Sequence, residues 1–350
     1  MLAARTVKER TIQLTERPTP VCGPHGVRLA VGYAGICGSD IHVYRGEFAG
    51  RVSFPTTQGH EFAGTVLEVG PEVTHFHPGE RVCVDPIISC RRCPACLAGH
   101  YNACRSLRLI GIDLDGAFAD QVVADEEQCF RVPQSLSDRD AALVEIFSIG
   151  MHATTMARVD PGDKVVVLGA GRVGLSVLQN VLLTAAEKVA VVDVAEPKLR
   201  LAESLGAALA VNARSTDAVA AINEFTGGLG ADRVIECIGE ADLNTVGGKP
   251  PLAQAVEMVR NAGQITVLGQ GPVQYGIPWK LLVWKEATLQ CSRVSRGEYP
   301  RVIATMAAGR YRTDPFVSAE YPLEQAAQAF ELVDREPPDV VKVMLRVGRS

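Results

Sequence analysis

The sequence predicts an α/β protein of two parts: a doubly wound parallel sheet in the middle of the chain, and a β-rich domain assembled from both ends. Three observations predict it. Before about residue 150, short apolar runs punctuated by Gly and Pro read as strands and turns. From Pro161 onward, apolar runs alternate with stretches of helical length, the rhythm of βαβ units. Near Thr288 that rhythm stops. A chain of 350 residues also exceeds one ordinary core, so two domains of ~100–200 residues are expected.

In the first part, Val27–Val31 alternates at period two. Gly64–Val69 and Glu80–Val84 are apolar runs closed by Gly and Pro, with Pro71 and Pro78-Gly79 marking turns. An antiparallel, partly barrel-like arrangement follows, with loops presenting reactive side chains. In the second part, Val165–Leu168 reads as a buried strand and Arg172–Thr184 as a helix. Lys188–Asp193 reads as the next strand, and Glu196–Leu205 as a helix stopped by Gly206. Ala218–Phe225, Arg233–Cys237, Leu252–Arg260 and Gln264–Leu268 continue the alternation. The expected division is residues 1–150 with 289–350, and residues 151–288.

Composition narrows the function. The chain is 47% hydrophobic and 21% charged, with net charge −5, and it has no block of Lys or Arg. Nucleic-acid binding relies on clustered cations, so it is not expected. Met1–Arg10 lacks the apolar core of a signal peptide, and no apolar run approaches the ~18–20 residues of a membrane span. A cytoplasmic protein is expected. Ten cysteines could suggest disulfides, but in a reducing compartment the tight cluster at 90–104 suits metal ligation better.

Gly169-x-Gly171-x-x-Gly174 is a common pattern, but here an apolar strand precedes it and a helix follows. Asp193 ends the next strand, nineteen residues after Gly174. The first Gly permits a tight turn, the second admits a pyrophosphate, and the third lets helix pack on strand. Arg172 and Val173 open the helix whose amides face the phosphates. Asp193 can accept hydrogen bonds from the ribose hydroxyls and would repel a 2′-phosphate, which favours NAD over NADP. Lys198 lies close enough in sequence to touch the nucleotide.

Cys90, Cys93, Cys96 and Cys104 fall within fifteen residues. Four thiolates can close a tetrahedral shell around zinc, leaving no vacant position. Two disulfides or a redox Cys-x-x-Cys pair are the alternatives. Upstream lie Cys37-Gly38-Ser39-Asp40-Ile41-His42 and Gly59-His60-Glu61. Taken singly, Cys37 reads equally as a packed thiol and His60 as a satisfied polar group. Each nevertheless sits in a Gly-flanked loop beside a titratable neighbour.

These motifs occur in the order they take in the zinc-dependent medium-chain dehydrogenases, and the chain resembles their polyol, sugar-acid and threonine dehydrogenase branch from about Val27 to Val347. The resemblance implies a Rossmann nucleotide domain and a GroES-like catalytic domain with a structural zinc lobe at 88–106. It implies two zinc ions: a catalytic one on Cys37, His60 and either Glu61 or Glu145, and a structural one on the four cysteines. It also implies NAD held by the Gly-rich turn, with Val267, Leu268 and Gly269 at a later strand end. A catalytic zinc takes about three protein ligands and one water or substrate oxygen, which a thiolate, an imidazole and a carboxylate satisfy. Ser39 and His42 correspond to the family's proton relay, with turn capping and mere loop exposure as the plainer roles. Asp40 reads as a loop-stabilising acceptor. The chain departs from the pattern at Ile146, where the family commonly has Pro, and at Cys291, often Gly.

Tyr44, Arg45, Phe48, Phe54, Arg293 and Arg296 suggest a small, polar, hydroxylated substrate. Arg293 can pair a substrate carboxylate or phosphate, or equally cap a turn or touch the cofactor. The leading expectation is an NAD-dependent dehydrogenase acting on a secondary alcohol of a polyol, sugar or sugar acid. Alternatives are a 3-hydroxy amino acid dehydrogenase, an aldehyde or ketone reductase, and a catalytically silent nucleotide-binding homologue. The resemblance also implies a dimer or tetramer.

Overall fold

A computed structural model describes residues 1–239, 249–271 and 276–348. The chain divides into two compact units, Met1–Glu145 with Tyr299–Ser350, and Ile146–Glu298.

The first unit is organised around the strand Gly26–Ile36, which runs beyond the five alternating residues legible in the sequence and ends in three consecutive buried residues, Ala34, Gly35 and Ile36. Val27, Leu29 and Val31 point into a core with Phe62, Val66, Phe118, Phe330 and Leu345. Burying each such side chain contributes roughly 1.5–3 kcal/mol before entropic costs. The sheet runs in the order Cys129–Arg131, Arg81–Val84, Glu61–Val69, Gly26–Ile36, Lys342–Arg346, Val317–Pro322, with Gln121–Asp125 also paired to Gly26–Ile36. The pairing is antiparallel except between Val317–Pro322 and Lys342–Arg346, which are parallel and joined through the helix Ala326–Asp334. A smaller sheet orders Thr11–Glu16, Leu2–Lys8 and Thr56–Thr57.

Register brings the reactive residues together. Gly35 pairs with Glu61 across the antiparallel ladder, so the residues just beyond, Cys37 and His60, leave the sheet side by side. On the other flank Ile36 pairs with Val343, which sets Lys342 opposite the same strand end. The pairing between Gly26–Ile36 and Glu61–Val69 shifts register twice, between Arg28 and Leu29 and between Val31 and Tyr33. Irregularities of this kind re-aim the side chains beyond them.

The second unit holds six parallel strands in the order Leu209–Asn212, Lys188–Asp193, Lys164–Leu168, Ala231–Glu236, Val259–Val267, Thr288–Cys291. Numbered along the chain, this is 3-2-1-4-5-6, the doubly wound order with its reversal between the first and fourth strands. Helices Glu196–Leu205 and Ala218–Phe225 match expectation, Arg172–Val181 stops short of the expected Thr184, and Gly206 ends Glu196–Leu205 in the left-handed region at φ 115°.

Thr288 does not mark a return to the first unit. Thr288–Cys291 pairs with Gln264–Val267 as the sixth strand of the parallel sheet. Its crossover helix, Trp279–Trp284, is only six residues long. Its exposed Trp279, Val283 and Trp284 also blur the apolar period that identifies a packed helix. The run expected as one helix, Leu252–Arg260, is a helix to Met258 followed directly by the fifth strand. Among the described residues, no helix is long and apolar enough to cross a membrane.

Candidate metal and nucleotide sites

Cys37 stands at the start of the helix Gly38–Tyr44, and His60 and Glu61 at the mouth of the Glu61–Val69 strand. One donor atom from each of Cys37, His60 and Glu61 lies within 4.8 Å of the others, close enough to share a metal ion. His60 and Glu61 are buried and Cys37 is partly exposed, so the cluster keeps a side toward solvent. His60 Nδ1 lies 3.6 Å from Asp40 Oδ1, while the other Asp40 oxygen accepts the Cys37 amide at 2.8 Å. Asp40 therefore holds the Cys37 amide and sets a carboxylate charge on the Nδ1 side of His60, leaving His60 Nε2 as the atom available to a metal. That nitrogen is 3.3 Å from Ser39 Oγ. Gln58 continues the support, donating to Asp40 O at 2.7 Å.

The cluster carries more negative than positive groups. Burial opposes a charge on His60, yet the Asp40 carboxylate and the Cys37 thiolate hold its pKa well above the ordinary value. Burial, followed by the charge of Glu61, pushes the Glu145 carboxyl well above its usual range. Glu145 opens the helix Val144–Ala157, and its Oε2 is buried with no hydrogen-bond partner among the described residues. It stands outside the compact set formed by Cys37, His60 and Glu61. A bound dication would relieve this crowding of like charge, so the donors suit a metal.

Sequence reasoning missed Lys342. Its side chain is fully buried, its ammonium pairs with Glu61 Oε2, and it donates to Ile36 O at 3.0 Å. A Cβ at Gly35 would come within 2.5 Å of Glu61 Oε2 and 2.7 Å of Lys342 Cε, so a side chain there would break the pair apart. Nothing local flags Lys342, because a Lys in an apolar strand is ordinarily at an edge.

The four-cysteine lobe is compact as well. It contains the turn of helix Pro94–Leu97 between short strands Ile87–Ile88 and Arg108–Leu109. All four sulfurs lie within 4.8 Å of one another, and none is disulfide-bonded. The amides of Cys90 and Ser106 donate to Cys104 Sγ at 3.2 and 3.3 Å. The amides of Cys96 and Arg105 pull the Cys93 thiol down to about 6, whereas burial pushes Cys96 up to about 11. Four sulfurs converging at metal-ligand spacing, Cys104 among them steadied by amides, fit the donor set of a closed zinc site.

In the second unit, Gly169 takes φ +96° at the end of the first strand. A Cβ at Gly174 would fall 1.8 Å from Gly169 O, which fixes glycine where helix meets strand. A Cβ at Gly171 would meet no protein atom within 4 Å, and no side chain caps the helix that begins there. Open space beside uncapped amides is a cradle for phosphate. Asp193 Oδ1 accepts the amides of Val194 and Ala195 at 2.7 and 2.8 Å, and Oδ2 accepts that of Ala170 at 2.5 Å. The carboxylate is thus tied to the Gly-rich turn at the end of the second strand, and Lys198 lies half-buried in the helix that follows. Val267 ends the fifth strand, and the amides of Leu268 and Gly269 donate to Glu236 O at 2.9 and 3.3 Å.

Other candidates fall elsewhere. Tyr44 lies in the core, its ring 5.3 Å from that of Phe330 and its hydroxyl donating to Arg10 O at 3.0 Å. Arg45 is occupied by Asp334 and Glu336 at 2.7 Å each. His42 Nδ1 pairs with Glu47 and its ring stacks on Phe48, with centroids 6.0 Å apart. Arg293 is exposed just after the edge strand.

Residues 23–134 match the family model of the alcohol dehydrogenase GroES-like domain, and residues 172–308 that of the zinc-binding dehydrogenases. The chain is 33% identical over 343 residues to the zinc-type alcohol dehydrogenase-like protein YdjJ of Escherichia coli K12, covering 97% of this chain and 96% of that one. It is 32% identical over 354 residues to sorbitol dehydrogenase of Bacillus subtilis 168, covering 100% and 98%. The crystal structure of a zinc-binding dehydrogenase from Sinorhizobium meliloti 1021 bound to NADP superposes with TM-score 0.90 at 32% identity, over 99% of both chains.

Proposed function

The chain belongs to the zinc-binding alcohol dehydrogenase family, and from that premise we propose that it oxidises a secondary alcohol of a polyol, sugar or sugar acid with NAD. The observation that carries the proposal is the meeting of Cys37, His60 and Glu61 at ligand spacing. In this reading those three hold the catalytic zinc, and Glu145, outside the compact set, holds a water or substrate hydroxyl. Cys90, Cys93, Cys96 and Cys104 hold a second, structural zinc. The Bacillus subtilis relative is a sorbitol dehydrogenase, which supports a polyhydroxylated substrate.

Zinc bound by Cys37, His60 and Glu61 would supply positive charge that lowers the pKa of a substrate hydroxyl, and a bound nicotinamide would supply the hydride acceptor. The protein's own groups do the rest. Asp40 fixes the tautomer and orientation of His60, and Lys342 steadies Glu61. Ser39 takes the hydroxyl proton. His42, three residues on and so on the same face of the helix, is half-exposed beside Glu47 and hands the proton to water. Arg293 is assigned to the substrate's anionic or hydroxyl end.

Gly169, Gly171, Arg172, Val173 and Gly174 are assigned to the pyrophosphate, Asp193 and Lys198 to the adenosine ribose, and Val267, Leu268 and Gly269 to the nicotinamide half. A carboxylate at Asp193 favours NAD; the NADP in the Sinorhizobium structure is the observation favouring the phosphorylated cofactor instead. A cytoplasmic homo-oligomer fits ten cysteines outside any disulfide and the exposed Trp279, Val283, Trp284 and Leu289 around the edge strand Thr288–Cys291. The test joins metal analysis to an initial-rate screen with NAD over polyols, sugar acids and amino alcohols. Two zinc ions per chain and turnover of a polyol or sugar acid are expected. One zinc with no turnover would point to a silent homologue, and preference for a 3-hydroxy amino acid would move the chain to that branch.

A further inference from the structure

Glu236 ends the fourth strand of the parallel sheet, paired in register with Leu168 of the first strand and Val267 of the fifth. It therefore lies at the reversal point of the doubly wound sheet, beside the Gly169 turn. In this topology the two halves of a dinucleotide rest over the two halves of the sheet. Asp193, ending the second strand, marks the adenosine half, so the nicotinamide half falls over the fourth to sixth strands.

The Glu236 side chain is held rigidly. It is 3% exposed, and its Oε1 accepts the Ile238 amide at 2.7 Å. The Gly269 amide also donates to the carboxylate, and a Cβ at Gly269 would stand 2.5 Å from Oε2. Among the described residues two amides are its only polar support, and no Lys, Arg or His of those residues acts on it. The titratable group facing it is the Cys237 thiol, which burial and then the charge of Glu236 push well above the ordinary range. Burial outweighs the two amides and raises the Glu236 carboxyl to about 7. A buried carboxylate without a cation is costly, and it sits where one redox state of the proposed cofactor carries a positive ring and the other does not.

We propose that Glu236 is the counter-charge of the oxidised nicotinamide ring, so that its carboxylate favours the oxidised over the reduced dinucleotide. This rests on the nucleotide reading above and extends it to the balance between the two redox states. Binding of the oxidised form pulls the proton from Glu236 into solvent; binding of the neutral reduced ring leaves it in place. Near pH 7 a carboxyl titrating at about 7 is half protonated, so about 0.5 proton is released with NAD+ beyond any released with NADH.

The experiment is calorimetric titration of the zinc-loaded protein with NAD+ and with NADH, in buffers of different ionisation enthalpy, from pH 6 to 8. Wild type is expected to release the extra half proton with NAD+ near pH 7, and its Kd ratio of NAD+ to NADH should fall as pH rises. Glu236→Gln should lose both effects, binding NAD+ about tenfold more weakly at pH 8 while NADH changes less than twofold, since one pH unit of linkage is tenfold. Proton release arising elsewhere persists in the variant and subtracts out. Equal release for the two nucleotides in wild type, with a ratio flat in pH, overturns the inference without recourse to any variant. Wild type that binds neither nucleotide overturns the nucleotide reading instead, and shows itself by the absence of binding heat.

Discussion

Replacing Lys342 by Met tests the metal site from a direction other than ligand removal. The ammonium is fully buried against Glu61, with Glu145 nearby, so Lys342→Met removes a full positive charge from a place holding two carboxyls. Breaking a buried ion pair by removing one partner costs about 3–5 kcal/mol. Protonation limits that cost. Burial, together with the charge of Glu61, already favours the protonated form of Glu145, so the variant must take up a second proton. At pH 7 this costs about 1.36 × (7.0 − 4.3) ≈ 3.7 kcal/mol from an ordinary glutamate value, and about 1 kcal/mol at pH 5. The sign follows from linkage: a carboxyl whose folded pKa is raised loses stability as pH climbs above its unfolded value. Zinc-free Lys342→Met should therefore be about 3–4 kcal/mol less stable than zinc-free wild type at pH 7, the deficit shrinking to about 1 kcal/mol at pH 5. Zinc should recover much of the loss by supplying positive charge to the same carboxyls. Denaturant unfolding with and without zinc at pH 5, 6 and 7 measures it. A deficit under about 1 kcal/mol at pH 7, or one that grows on acidification, would refute the reasoning.

Cys37→Ser should lower zinc from two ions to one per chain and cut turnover more than a thousandfold with NAD binding unchanged; turnover within tenfold of wild type removes Cys37 from the metal, because a thiolate ligand has no comparable substitute in a hydroxyl. Asp193→Asn keeps an acceptor for the Val194 and Ala195 amides but loses the charge, so the NAD Kd should rise roughly tenfold while NADP binding improves; an unchanged preference takes Asp193 off the ribose. Trp284→Arg and Leu289→Lys together place charge beside the edge strand, and sedimentation should show a smaller species than wild type; an unaltered mass puts the oligomer contact elsewhere.

What the sequence made legible was whatever it writes locally. The four cysteines within fifteen residues, the Gly169–Gly174 turn between strand and helix, and the Lys188–Asp193 strand closed by an acid all announce themselves through spacing, and the structure builds each where spacing puts it. Cys37 and His60 are weaker signals, because each is an ordinary residue until Gly35 pairs with Glu61 and brings the two loops together. Lys342 is illegible for a stricter reason. Its meaning lies in a strand contributed by the far end of the chain, 281 positions after Glu61, and no local pattern marks a lysine that a sheet will bury. The sixth strand was misplaced for a related reason: Thr288–Cys291 is an exposed edge of four residues, and an edge lacks the two-sided burial that gives a parallel strand its continuous apolar run. Asp40 shows the same limit within a motif. Its place after Ser39 suggests a loop acceptor, which it is for the Cys37 amide, but only the folded ladder reveals that its second oxygen faces His60. Residue types and spacing thus name the donors, whereas the pairing of distant strands decides which charge stands behind each donor. That is why Lys342, rather than another ligand, is the position where the physical account of this site is most exposed to refutation.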